Sequence, residues 1–148
     1  LFCLSHGQRF LELYKQEYDP PREKILSLCA LSALLINEKI LCRKYAMEQI
    51  ELVKNWSNRP RSGKAILALL AIEDGNWDEA KRGLLDLTPL DIFCKEDIDL
   101  IEKLIDNACT DSVIGFLHKA NELGLLKSES VIQAKQDIEA GQHRIILW

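Results

Sequence analysis

From Ala65 to Ile72 the chain carries no polar side chain. A helix built from that stretch is apolar on every side, so its stable place is inside, walled by other elements. The residues after it set its end. Gly75 supplies the positive φ that closes a helix. Asn76 can cap the next helix, and Glu79 three residues on can complete a capping box. Trp77, Ala80, Leu84 and Leu87 then recur as one apolar stripe. Gly63 to Pro89 therefore predicts two antiparallel helices around a tight polar turn.

The rest of the chain follows the same grammar. Residues 1–18 predict a first helix with Phe10, Leu13, Tyr14 and Tyr18 toward one side. Asp19 is placed to cap a restart at Pro20-Pro21, where the missing N–H costs nothing. Ile25 to Ile36 is apolar almost all round and predicts a second central rod. Asn37-Glu38-Lys39 is a turn. Residues 39–56 predict an amphipathic helix facing inward with Cys42, Ala46, Ile50, Val53 and Trp56. Ser57 to Gly63 reads as a loop, and Thr88 as a cap in the stop-and-start around Pro89. Residues 95–108 predict a helix with Ile98, Ile101, Leu104, Ile105 and Ala108 inward. Asp111 is placed to cap a helix carrying Val113, Phe116, Leu117 and Ala120, closed at Gly124. A last helix spans about 129–140 and stops at Gly141. Arg144 to Trp148 is the one stretch with strand character. The expected fold is all-α: about eight helices in antiparallel pairs, stacked right-handed as a helical-repeat solenoid or closed as a compact bundle.

The chain has 148 residues, the size of one domain. A chain of that size buries roughly 68–70% of the surface its unfolded form exposes, enough for a core without metal or disulfide support. Its ends, Leu1 and Ile145-Ile146-Leu147-Trp148, read as those of a segment from a longer protein. Five cysteines, Cys3, Cys29, Cys42, Cys94 and Cys109, stand mostly in apolar runs. An odd count in that context predicts reduced thiols and an intracellular protein, nuclear or cytoplasmic. No run of about 20 apolar residues is present, so no membrane partner is expected.

Motifs with chemistry resolve to simpler readings. Ser62-Gly63-Lys64 lacks the glycine five positions before its Gly-Lys pair and the hydroxyl after the lysine that a phosphate loop needs. Cys3-Leu4-Ser5-His6 has zinc-like spacing but no second pair. His118 sits beside Lys119 as a surface residue, and no nucleophile elbow occurs. Asp97/Asp99 and Glu102/Asp106 read as a solvated acidic face. Asn55-Trp56-Ser57 fits the glycosylation pattern by chance, since Trp56 is expected to pack. No enzymatic activity, cofactor or metal is expected.

Charge is more informative. Lys54, Arg59, Arg61 and Lys64 fall in one short stretch without an acid, stiffened by Pro60. Glu73 to Asp111 carries twelve acids against four bases. Two poles of opposite sign steer partners. Lys54, Trp56, Arg59, Arg61 and Lys64 are the candidate partner-binding residues.

Gly75-Asn76-Trp77-Asp78-Glu79-Ala80, with Leu67-Ala68 before it and Leu84 after it, resembles the turn of a tetratricopeptide repeat. Ala71 stands where that repeat usually carries an aromatic, and no second copy appears at a spacing of about 34 residues. The resemblance implies closely crossing helix pairs and a non-catalytic scaffold that binds a protein or peptide within a larger complex. The same turn also resembles the TRF-homology domain of telomeric proteins, continuing loosely into Leu100 to Phe116. That resemblance implies a homodimer that docks short peptides. Nucleic-acid contact through the basic 54–64 loop is the weaker alternative, because the chain as a whole is acidic, at −4.

Overall fold

The structure is a computed structural model and describes residues 4–13 and 20–147. The expected positions of Tyr14 and Tyr18, the Asp19 cap, Cys3 and Trp148 lie outside the described residues. Among those described there are eight helices: α1 (Leu4–Leu13), α2 (Pro20–Leu35), α3 (Lys39–Val53), α4 (Ser62–Glu73), α5 (Trp77–Leu85), α6 (Lys95–Asp106), α7 (Thr110–Glu122) and α8 (Ser128–Glu139). The fold is all-α. A two-residue parallel pairing joins β1 (Arg59–Pro60) to β2 (Asp91–Ile92). Pro60 has no N–H to give, so the pairing bonds come from its neighbours: Arg59 N to Leu90 O at 2.8 Å and Arg61 N to Ile92 O at 3.1 Å.

Helix α4 is the wall between two apolar cores. Ile66 and Leu70 enter the first, with Leu26, Cys29, Ala30 and Ala33 of α2 and Cys42, Tyr45 and Ala46 of α3. Ala68, Leu69 and Ala71 enter the second, with Ala80 and Leu84 of α5, Leu100 and Leu104 of α6, and Phe116 and Leu117 of α7. This is why Ala65 to Ile72 needs no polar face: α4 packs on α2, α3, α5 and α6. Small residues bring the walls close. A Cβ on Gly83 of α5 would stand 3.0 Å from the Ala68 Cβ.

The second expected rod is not central. Helix α2 buries one face and leaves Leu35 and Ile36 exposed at its far end. Other inward assignments shift similarly. Asp97 and Leu100 join the buried face of α6, while Ala108 lies beyond its end and is exposed. Residue 94, a cysteine, stands at the N-terminus of α6, and Cys109 rather than Asp111 precedes α7. Thr88 caps no helix; its N–H and Oγ1 donate to the Asp91 carboxylate at 2.9 and 3.0 Å.

Helix ends use one device repeatedly. After α4, Gly75 has φ 75°, Asn76 N donates to Ala71 O at 2.8 Å and Gly75 N to Ile72 O at 2.9 Å. That is a Schellman closure. The same bonds recur at Gly124 and Gly141, and also at Asn37 (φ 62°) and Ala108 (φ 59°), neither a glycine. Across the α4–α5 turn, Asn76 Oδ1 accepts from Glu79 N at 3.2 Å, and the Glu79 carboxylate takes the Asn76 side-chain N–H at 2.9 Å. The described residues after α8 are not helical. Ile145 and Leu147 enter the second core while Ile146 between them is exposed.

Candidate partner-binding site

The stretch 54–64 runs from the end of α3 through β1 into the first turn of α4. Its charged residues divide between surface and interior. Lys54 is exposed and Arg59 and Lys64 are half-buried. Arg61, expected on the surface with them, is buried with 1% of its surface accessible. Its guanidinium reaches into the space between α5 and α6. Nε donates to Asp97 Oδ1 at 3.0 Å, Nη1 to Asp86 O at 2.6 Å, and Nη2 to Gly83 O at 3.2 Å and Leu84 O at 3.4 Å. Asp91 Oδ2 lies 3.5 Å from Nη1.

The physical reason is complementarity of helix ends. The last carbonyls of α5 have no intrahelical partners and carry the negative end of its dipole. Arg61 supplies donors to two of them, Gly83 O and Leu84 O, and to Asp86 O just past the helix end, and Lys119 Nζ gives another to Leu85 O at 2.7 Å. Asp97 stands in the first turn of α6, where a carboxylate meets unsatisfied N–H groups; its Oδ2 accepts from Cys94 N at 3.1 Å. Burial raises the Asp97 carboxyl above its ordinary range, and the Arg61 guanidinium offsets only part of that rise. So Asp97 belongs to the core, not to a solvated acidic face, and Arg61 is unavailable to a partner.

A second polar node fastens α2, α3 and α4. Glu23 Oε1 accepts from Gln49 Nε2 at 2.9 Å and from Ser62 Oγ at 3.1 Å. Gln49 also gives Nε2 to Pro60 O at 3.1 Å and takes the Gly63 N–H at 3.0 Å. Gly63 has to be glycine for this crossing: a Cβ there would stand 2.3 Å from Gln49 Oε1 and 2.6 Å from Ala46 O.

With the backbone held from both sides, Lys54, Arg59 and Lys64 surround a cleft of about 150 Å³ whose other walls include Ile50, Val53, Pro60 and Asp91. Trp56 does not line it; half-buried, it accepts the Arg59 Nε bond on its carbonyl at 3.1 Å. The cleft adjoins a groove of about 550 Å³ between α4 and α5, floored by Leu67, Ala68 and Gly83, and the two share Ile50 and Lys64.

A further surface went unnoticed in the sequence. Leu35, Ile36, Ile40 and Met47 are exposed at the α2–α3 turn and along α3. Ile40 and Met47 line one shallow depression with Lys39, Arg43 and Lys44. The available signal was the seven-residue spacing of Ile40 and Met47, which puts them on one helix face.

Three of the described thiols are shielded by burial. Burial pushes Cys29 and Cys42 up to about 11, and Cys94 is raised further by burial and the Asp97 charge. Among the described residues no helix is long and apolar enough to cross a membrane. Compared with known proteins, the chain matches no family model, no curated protein and no solved structure.

Proposed function

We propose that this chain is a non-catalytic protein–protein interaction module of a larger intracellular complex, nuclear or cytoplasmic, built from helix pairs of the tetratricopeptide kind. One observation carries the reading. Leu35 is 78% exposed, Ile36 61%, Ile40 86% and Met47 56%, on a chain that buries smaller apolar groups completely elsewhere. Ile40 and Met47 share one depression with Lys39, Arg43 and Lys44, and exposed apolar side chains rimmed by polar groups mark surfaces that another protein covers.

The test is affinity capture with quantitative mass spectrometry, comparing the wild-type chain with Ile40→Glu/Met47→Glu. Both positions are exposed, so the double variant should melt as the wild type does. The reading expects a defined set of proteins to be lost from the variant. An unchanged set would refute it.

The same exposed residues support a second reading, a homodimer of the TRF-homology kind, in which a second copy covers them. Sedimentation at tens of micromolar separates the two. A dimer that dissociates in the double variant supports self-association, and a monomer at every concentration excludes it.

A further inference from the structure

We propose that the cleft bounded by Lys54, Arg59 and Lys64 is an anion pocket that receives one carboxylate side chain of a partner protein, with a neighbouring apolar side chain of that partner in the adjoining α4–α5 groove. The proposal rests on the protein-binding reading above but concerns a different place. Lys54 lies just past the C-terminal end of α3 and Ile40 in its first turn. Fourteen residues of helix separate them by about 21 Å.

Cationic walls are the first argument. Lys54, Arg59 and Lys64 line one cleft together with Ile50, Val53 and Pro60 and with the buried Arg61–Asp91 pair. Its single acidic wall, Asp91, is spoken for: its carboxylate oxygens take Thr88 N and Oγ1 and face the buried Arg61. Asp91 therefore does not neutralise the cleft.

Arg59 is the second. It is half-buried, it lines the cleft, and it forms no ion pair among the described residues; its Nε donates to the Trp56 carbonyl. A half-buried guanidinium satisfied only by a neutral acceptor is set up for a charge-assisted bond to an incoming anion. The two lysines hold partners that are easily exchanged. Lys54 meets Glu51, and Lys64 meets Asp86 at 3.3 Å, both carboxylates being largely in water. Exposed pairs of this kind contribute little and yield to a better-placed ligand.

The size of the cleft and the charge of the chain select the ligand. A cleft of about 150 Å³ takes the end of one side chain rather than a run of phosphates. The chain carries a net −4, with its acids concentrated from Glu73 to Asp111, which opposes a polyanion at long range. The adjoining groove runs over the close α4–α5 crossing, with Leu67, Ala68 and Gly83 as an apolar floor and Lys64, Glu79, Arg82 and Asp86 as charged walls. An acidic residue beside an apolar one matches both halves; a nucleic-acid backbone matches one.

The experiment is an unbiased selection of random twelve-residue peptides displayed on phage, run against the whole chain and against Arg59→Gln/Lys64→Gln. Circular dichroism and melting checks that the variant is folded. The expected result is enrichment of peptides pairing Asp or Glu with a large apolar residue. Those peptides should bind the variant about tenfold more weakly, the loss of one hydrogen bond to a charged group. They should bind Ile40→Glu/Met47→Glu normally. Enriched peptides without acids, no enrichment, or acidic peptides that bind both chains equally overturn the pocket. If selected peptides lose binding only in the Ile40/Met47 variant, the pocket is wrong and the interaction reading survives. A single-stranded oligonucleotide, measured in parallel by anisotropy, gives the remaining outcome. Tight binding that vanishes in Arg59→Gln/Lys64→Gln would replace the carboxylate with nucleic-acid phosphate and overturn the proposal.

Discussion

Arg61→Met keeps a long side chain and removes the charge, leaving the Asp97 and Asp91 carboxylates facing each other's surroundings without a cation. Both carboxylates are almost wholly buried, at 0% and 1% side-chain exposure. The α5 carbonyls of Gly83 and Leu84 lose their Arg61 donor as well. Breaking one side of a buried ion pair costs about 3–5 kcal/mol, and the lost donors place this case in the upper half, at ~4 kcal/mol. For a chain of this length that corresponds to a fall in Tm of roughly 10 °C. An exposed arginine in a loop would shift stability by no more than about 0.5 kcal/mol. Urea unfolding followed by circular dichroism distinguishes the two. The pH dependence adds a second check. Without Arg61, the Asp97 carboxyl is raised further by its burial, so the folded variant holds that proton to higher pH than the unfolded chain does. Its loss relative to wild type should therefore grow as pH rises through that raised value and shrink in acid. Asp97→Asn added to Arg61→Met should recover part of the loss, because the stranded charge is gone. A loss below about 1 kcal/mol for Arg61→Met, or a double variant no better than the single, would refute the reasoning.

Gly63→Ala forces a methyl group against Gln49 and the Ala46 carbonyl, and should destabilise by ~3 kcal/mol in the same urea assay. Ala108→Gly should stabilise by ~0.5 kcal/mol, since Ala108 sits at φ 59° and glycine relieves the left-handed strain, partly offset by its unfolded-state entropy. Cys29 and Cys42, buried and raised to about 11, should alkylate with iodoacetamide at pH 8 only after denaturant is added, as read by peptide mass spectrometry; rapid native labelling would place them at the surface.

Much of this architecture was legible in local pattern. Ala65 to Ile72 had to be interior, and among the described helices α4 is the one that places fully buried side chains in both cores. Gly75, Gly124 and Gly141 announced helix ends because glycine alone takes the closing conformation freely. The closure at Ala108 carried no such signal, so α6 ends before the stretch predicted for it. Ile25 to Ile36 looked central because apolar content does not report how far neighbouring helices extend alongside. Leu35 and Ile36 outrun that cover. The sharpest miss was Arg61. Its partners Asp91 and Asp97 lie 30 and 36 residues away, and two charge runs read as opposite poles meet there inside the fold. Arg61 still lines the cleft, but its guanidinium is committed to Asp91 and Asp97, so Lys54, Arg59 and Lys64 are the cations there whose charge is not met by a buried partner.

Native-state hydrogen exchange resolved by residue tests the central claim directly, that α4 is the shared wall of both cores. The amides of Ile66, Leu69 and Leu70 should exchange only through global unfolding, with the same free energy measured from either core and matching the urea value. Exchange of those amides through a lower-energy local opening, or separate unfolding free energies on the α2–α3 and α6–α7 sides, would contradict it.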